Sequence, residues 1–317
     1  MNVLVLNAGS SSLKFQIIAT DIERIKQGKD DRLCRGEIEG IGGEAAVKIQ
    51  YGNDAPKIFS EPLRDIGTAL EYLVKHITGT QPGISGMRSA ADVDAIGHRV
   101  VHGGELFKES VLVDDRVLKG IADCADLAPL HNPDNLKGIL AAGKLFGGDI
   151  PQVAVFDTAF HQSLSEQAYI YAIPYSLYEK YRIRRYGFHG TSHRYVAARY
   201  RALRGLTREQ TNIITLHLGN GCSSAAIRNG HSIDTSMGMT PLEGLVMGTR
   251  SGDLDPAIVG FIARKEGMLP AEVDKLLNAK SGLLGISELT SDMRELQKSV
   301  AGGDRKADLA IEIFCYR

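Results

Sequence analysis

"VLVLNAGSSSLKFQII", residues 3 to 18, opens apolar, breaks into Asn7-Ala8-Gly9-Ser10-Ser11-Ser12, and turns apolar again. Leu13, Phe15 and Ile17 alternate with Lys14 and Gln16, which predicts a strand with one buried face. Strand, small-residue loop, strand excludes two familiar phosphate motifs. A P-loop needs G-x-x-x-x-G-K-[ST] leading into a helix, and a dinucleotide fold needs G-x-G-x-x-G in the same setting. Two readings of the loop stay open. Gly, Ser and Asn form hairpin turns; glycine also lets backbone approach a ligand while hydroxyls and amides face phosphate oxygens.

An echo lies 212 positions on, where Gly221-Cys222-Ser223-Ser224 in "NIITLHLGNGCSSAAIRNG" falls over Gly9-Ser10-Ser11-Ser12. Two such hairpins, one opening each half, point to duplicated domains facing each other across a phosphate-binding cleft, divided as 1–157 and 158–317. With 317 residues, 43% hydrophobic and 24% charged, the chain is long enough for two cores. Its formal net charge of −1 gives no footprint for nucleic acid or anionic membrane. No apolar run approaches the roughly eighteen residues of a span and no signal peptide is written, so the expectation is a cytoplasmic protein. Cys34, Cys124, Cys222 and Cys315 form no C-x-x-C and read as reduced, structural thiols.

Residues 21–32, 52–57 and 78–92 read as loops, and "LRDIGTALEYLVKHI" as a helix with Ile66, Leu70, Leu73, Val74 and Ile77 on one stripe. "VDAIGHRVVHGG" and "PQVAVFDTAFHQ" read as buried strands. Asn132 reads as a helix cap before Pro133, and Thr191 or Ser192 as the cap of the helix that follows "RRYGFHG". "ADLAIEIFCYR" has helical spacing through Leu309, Ile313 and Phe314 and stops without a terminator, as if cut in mid-element.

Phosphoryl transfer needs positioned cations, polar oxygens for a metal, and backbone cradles, because the transferring group spreads negative charge over its oxygens. Arg99 sits inside an apolar strand, as a buried ion pair or an anion ligand. Arg250 lies in the Gly-rich "MGTRSGDLDP" with Asp253 and Asp255. Two converging arginines can clamp a carboxylate and a phosphoryl group. Asp157 ends an apolar strand, where α/β proteins display reactive groups, although a lone Asp also caps turns. The nine histidines spell no zinc site. His98 and His102 on a strand stand roughly 13 Å apart, and H-E-x-x-H is absent. His189, in a loop between Phe188 and Gly190, is best placed to touch a phosphoryl group; His193 reads as packing, and His217 as a loop ligand or a core histidine.

"LVLNAGSSSLKF", "GHRVVHGGELF", "LAPLHNP", "VFDTAFHQ", "RRYGFHGTSHRYV", "LHLGNGCSSAAI", "DTSMGMTPLEGLVMGTRSGDLDP" and "SGLLGISELTSDMREL" resemble, in order, the motifs of the acetate/propionate kinase family. The resemblance covers the whole chain. It implies an α/β fold of duplicated actin-like, ribonuclease H-like ATPase domains, with mixed sheets flanked by helices. The implied activity is reversible phosphorylation of acetate by ATP to acetyl phosphate and ADP, with Mg2+ or Mn2+, in a homodimer. By motif, Asn7 goes to the metal and phosphate site, and Ser10, Ser12 and Lys14 to ATP. Arg99 goes to the substrate carboxylate, and Asp157 to the catalytic carboxylate. His189 and Arg250 go to transition-state stabilisation. His217, Leu218, Gly219, Asn220 and Gly221 form the second phosphate loop, and Asp292, Met293 and Arg294 reach the nucleotide.

The same resemblance lines a small acyl pocket with Val101, Leu130 and Pro241. Val101 favours acetate over propionate, but one methylene is worth only about 1–3 kcal/mol. Family members continue past "FCYR" through an adenosine-binding segment and a final metal-binding Glu, so the expectation is that this chain alone is a poor or inactive kinase. The rivals are a propionate or broad short-chain acyl kinase, an inactive nucleotide-binding fragment, and an actin-like assembly protein. A filament needs no second anion site, which sets Arg99 and Arg250 against the last.

Overall fold

A computed structural model describes residues 1–79, 83–129 and 131–317. The chain forms two compact units, Met1–Ala159 and Phe160–Arg317.

The first unit contains β1 (Asn2–Ala8), β2 (Ser12–Ala19), α1 (Ile22–Gln27), β3 (Asp31–Glu39), β4 (Gly43–Tyr51), β5 (Lys57–Leu63), α2 (Ile66–Thr78), β6 (Ala95–Val100), β7 (Val111–Leu112), α3 (Asp115–Asp123), α4 (Asn132–Phe146) and β8 (Gln152–Phe156). Its strands form one mixed sheet in the order β5-β4-β3-β2-β1-β6-β8-β7. The opening stretch is a hairpin: Leu6 pairs Phe15 and Asn7 pairs Lys14. The loop is shorter than the six residues read from sequence. Asn7 and Ala8 stay in the ladder, and the Gly9 amide closes the turn on the Ser12 carbonyl at 2.8 Å. Leu4, Leu6, Leu13, Phe15, Ile17, Ile38, Val47 and Ile49 fill one sheet face and bury it against Leu70, Leu73 and Ile77 of α2 and Ala142 of α4. A large mixed sheet of this kind must be covered, because each strand presents an apolar row on at least one face.

Between β1 and β8 the sheet is parallel, with Leu6 opposite His98 and Val100 opposite Phe156. The carboxyl ends of β1, β6 and β8 therefore lie side by side, where parallel sheets present functional groups.

The second unit contains α5 (Glu166–Tyr169), α6 (Tyr175–Tyr181), α7 (Gly190–Arg204), β9 (Ile213–Leu218), β10 (Cys222–Arg228), β11 (His231–Thr235), α8 (Ala257–Glu266), α9 (Pro270–Ala279), α10 (Gly282–Ser287), α11 (Met293–Ala301) and α12 (Arg305–Tyr316). Among the described residues its sheet is the antiparallel β11-β10-β9, again a meander entered through a three-residue Gly loop. Strand ends set Gly9 against Gly219, two residues from the alignment drawn on sequence.

Several local expectations are corrected. Residues 21–32 contain α1, capped by the Asp21 side chain and ended by left-handed Gly28; no residue of it is buried, so no apolar stripe marks it. Asn132 lies inside α4 rather than capping it, and His131 takes the cap position. Neither Thr191 nor Ser192 caps α7, which starts from His189 in a left-handed conformation. In α12 the packed face runs through Ala307, Ala310, Ile311 and Phe314, while Leu309 is exposed.

Candidate functional site

In the first unit, three adjacent strand ends carry Asn7, Arg99 and Asp157. The Asp157 amide continues the ladder to the Val100 carbonyl at 3.0 Å, which fixes its side chain beside Arg99. Arg99 Nε donates to both Asp157 oxygens at 3.1 Å, and Nη2 donates to Oδ2 at 2.6 Å. Asp157 is buried and Arg99 partly exposed, so the pair has one side away from water and one side towards it. The Asp157 carboxylate, ahead of opposing burial, raises the Arg99 pKa, and the guanidinium stays charged. Asp157 occupies the Nε edge, and Nη1 leans on Asn7 Oδ1 at 3.4 Å. The outer edge of a planar five-donor group can then take a second carboxylate in bidentate fashion.

Two buried asparagines of α4 hold the chain next to this pair, and the sequence reading missed both roles. Asn135 Nδ2 donates to the Ala8 carbonyl at 2.7 Å, and its Oδ1 accepts from the Val101 amide at 3.0 Å. It thus ties the residue after Asn7 to the residue two beyond Arg99. Asn132 accepts from the His102 amide at 3.0 Å and donates back to the His102 carbonyl at 2.9 Å. Val101 is buried at this clamp. Leu130 lies outside the described residues.

Lys14 stands opposite Asn7 on the outer sheet face, in a row with Glu37 and Lys48. Its ammonium is 3.7 Å from Glu37, an exposed and weak pair. These residues, with Gln16, Arg35 and Gln50, line a concavity of about 630 Å³. Ser10 is exposed on the turn, and Ser12 starts β2.

In the second unit, His189 and His217 stack with ring centres 4.0 Å apart. His217 Nδ1 meets the Ser192 hydroxyl at 2.8 Å, the role that Ser192 fills instead of capping. His189 Nδ1 meets the Ser223 hydroxyl at 2.9 Å. His193 is buried, as packing requires, but it is also bonded at both nitrogens, to Ser223 and to Thr215 at 2.8 Å. Gly221 borders this group: a Cβ there would lie 3.2 Å from His189 Nε2 and 3.3 Å from Arg250 Nη1. An imidazole and a guanidinium thus pack close against the Gly221 backbone, where a side chain would be crowded. Arg250 is tethered by Nη1 to the Pro241 carbonyl at 3.3 Å. The aspartates of its loop serve backbone instead, Asp253 accepting from Gly244 and Asp255 from Ala257.

The Asn220 carbonyl accepts from the Gly248 amide at 2.9 Å, and a Cβ on Gly248 would sit 3.3 Å from the Ser291 Cβ. The second Gly loop and the start of the Asp292 segment are therefore neighbours. Asp292 caps α11 and binds Arg294 Nη2 at 2.6 Å. The Arg294 side chain, by hydrogen bond and charge, holds the Asp292 pKa down to about 2. Met293 turns inward against the Leu283 and Leu296 cluster. Leu218 and Gly219 complete the loop, with the Gly219 amide donating to the Gly221 carbonyl at 3.1 Å.

The fold, two units each entered through a Gly-loop hairpin, is that of the actin-like ATPases, and the chain is a phosphoryl-transfer enzyme by its relatives. The chain belongs to the acetokinase family, whose profile matches residues 2–317. It is 65% identical over 318 residues to an acetate kinase of Solibacter usitatus, covering all of this chain and 77% of that protein. It is 50% identical to an acetate kinase of Methanosarcina thermophila, over all of this chain and 76% of that protein. The crystal structure of Porphyromonas gingivalis acetate kinase superposes with a TM-score of 0.91 at 44% identity, covering all of this chain and 77% of that one. A propionate kinase of Francisella tularensis gives 0.90 at 42%, with the same coverage.

Proposed function

We propose that this protein transfers the γ-phosphoryl group of ATP to acetate, reversibly, giving acetyl phosphate and ADP. The observation that carries the reading is Arg99, held by Asp157 along one edge and presented along the other, in a chain of the acetokinase family. Acetate is already ionised at neutral pH, since simple carboxylic acids titrate near about 4. No base is needed to create the nucleophile. A carboxylate oxygen attacks the γ-phosphorus, the bond to the β-phosphate oxygen breaks, and ADP leaves with that electron pair. Arg99 binds and orients the acetate, and Asp157 aims Arg99 and balances its charge.

His189 and Arg250 donate to the phosphoryl oxygens as charge spreads over them. His217 to Gly221 present backbone and imidazole to the nucleotide phosphates, Ser10, Ser12 and Lys14 add donors, and Asp292 to Arg294 contact the nucleoside end. The neutral oxygen of Asn7 would be a protein ligand suited to Mg2+, a hard ion that takes few protein oxygens and keeps phosphate and water ligands. Held there, the ion would neutralise phosphate charge. Among the described residues there is no cluster of three His, Cys, Asp or Glu side chains of the kind that zinc prefers. The family reading also carries a homodimer in the cytoplasm; among the described residues no helix is long and apolar enough to cross a membrane.

The reaction is tested by trapping acetyl phosphate as its hydroxamate. The assay is run on this chain and on the chain joined to the part of the Solibacter relative that it does not match. Acetate-dependent hydroxamate supports the reading, and its absence from both sinks it. Val101 sets acyl size, so Val101→Ala is expected to improve the propionate-to-acetate ratio of kcat/KM by about tenfold. An unchanged ratio removes Val101 from the acyl pocket.

A further inference from the structure

Residues 236–256, between β11 and α8, form no helix or strand, yet Met237, Val246 and Met247 of this segment are buried. A long irregular run inside a compact unit must find partners for its backbone, and such runs are mostly functional. Here the partners converge on Glu243. Its Oε1 accepts from Arg185 Nη2 at 2.6 Å, and its Oε2 accepts from the Tyr171 hydroxyl. Arg185 Nη1 donates to the carbonyls of Thr235, Ser236 and Met237 at 3.0, 3.2 and 3.1 Å. The Tyr171 oxygen accepts from the Met239 amide at 2.9 Å. Burial, then the bond to Glu243, raise the Tyr171 pKa, so at neutral pH its hydroxyl donates. Both anchors belong to one frame, because the Arg185 amide donates to the Tyr169 carbonyl at 2.7 Å. Gly238 makes room for them: a Cβ there would overlap Glu243 Oε2 and the Tyr171 oxygen.

Beyond this anchor the chain is stitched to the loop of Arg250. The Gly244 amide donates to Asp253 Oδ1, and the Asp253 amide donates back to the Gly244 carbonyl, both at 2.8 Å. The two bonds close a loop over residues 244–253, with Arg250 inside it and Glu243 at its foot. On the other side of Glu243, the Pro241 carbonyl accepts from Arg250 Nη1 at 3.3 Å. A shift of Glu243 therefore moves both the backbone that carries Arg250 and the carbonyl that steadies its guanidinium. Arg185 and Tyr171 both donate, so a glutamine in place of Glu243 would turn an NH2 on one of them. We infer that Glu243 is a positioning residue: clamped between Arg185 and Tyr171, it holds residues 236–253 and thereby sets Arg250. The effect on turnover rests on the proposed role of Arg250 in phosphoryl transfer; the clamp does not.

The test pairs amide hydrogen exchange, read by mass spectrometry on peptides from 236–253, with steady-state kinetics on the unaltered protein, Glu243→Gln and Tyr171→Phe. In the unaltered protein these peptides should exchange slowly, although no helix or strand holds them. Both variants should speed that exchange and lower kcat by about tenfold with KM for ATP unchanged. In an Arg250→Ala background Glu243→Gln should lower kcat no further, because the group it sets is gone. Fast exchange of the segment in the unaltered protein overturns the inference even if both variants fail to fold. So does a folded Glu243→Gln protein with the exchange unchanged. Faster exchange with unchanged kcat, or an equal loss of kcat with and without Arg250, overturns the part of Glu243 in setting Arg250. Slow exchange that Glu243→Gln abolishes, in a protein without acetate-dependent turnover, instead sinks the proposed function and leaves the clamp standing.

Discussion

On the proposed reading Asp157 fixes which edge of Arg99 faces acetate, so its charge matters more than its size. Asp157→Asn keeps the volume but sets an amide against a guanidinium whose partner is lost. Steady-state kinetics should show a raised KM for acetate and kcat/KM reduced about a hundredfold or more, with KM for ATP little changed. An equal rise in both KM values would argue against a substrate-orienting role. Asn135 makes a second case, because Asn135→Leu strands the Ala8 carbonyl and the Val101 amide in the core. Each stranded group costs about 1–3 kcal/mol, so thermal unfolding should begin several degrees lower. The ion pair of Arg99 was legible in the sequence as one of two readings, because a charge in an apolar strand needs a partner or a ligand. Asn135 and Ser223 were not. An amide near a helix start reads as a cap and a serine after glycine reads as turn material, until distant backbone and histidines are brought to them.

Within β3, Gly36 faces the core opposite Phe15, whose ring lies over the place a side chain would fill. A Cβ there would meet the Lys48 carbonyl at 2.4 Å and Phe15 Cζ at 2.6 Å, so Gly36→Ala should cost about 1–3 kcal/mol, read as a lower denaturation midpoint in urea. On β6, burial pushes His98 down to about 4, partly opposed by its bond to Gln152. Its folded pKa lies below the unfolded value of about 6.5, so the unfolded chain binds the extra proton between those values. Stability should therefore fall as pH drops from about 6.5 to about 4, by on the order of 3 kcal/mol at most, and then level off for this group. His98→Gln should flatten that part of the melting-temperature profile; an unaltered slope would show that His98 does not titrate there. Strands and long helices could be read from the sequence because one face of each is buried, as in Leu13, Phe15 and Ile17. The fully exposed α1 and the caps could not, since side-chain bonds formed at a distance override local preference.

Across the whole molecule, the repeated hairpin gives each compact unit its own Gly loop and an arginine that the proposal assigns to an anion. The first unit carries Arg99 and Asp157, and the second carries His189 and Arg250. Motif order made the family readable at this scale, while strand ends, not matched letters, set how the two hairpins correspond. The chain spans 77% of the Solibacter relative, so turnover is measured in the chain and in its joined form. The most direct measurement is hydroxamate formation from acetate and ATP by Arg99→Ala beside the unaltered protein, with both melting temperatures recorded. The account predicts acetate-dependent product from the unaltered protein and a loss of about a thousandfold in kcat/KM for the variant, with the melting temperature lowered because buried Asp157 loses its partner. Undiminished product from a folded Arg99→Ala protein would contradict it.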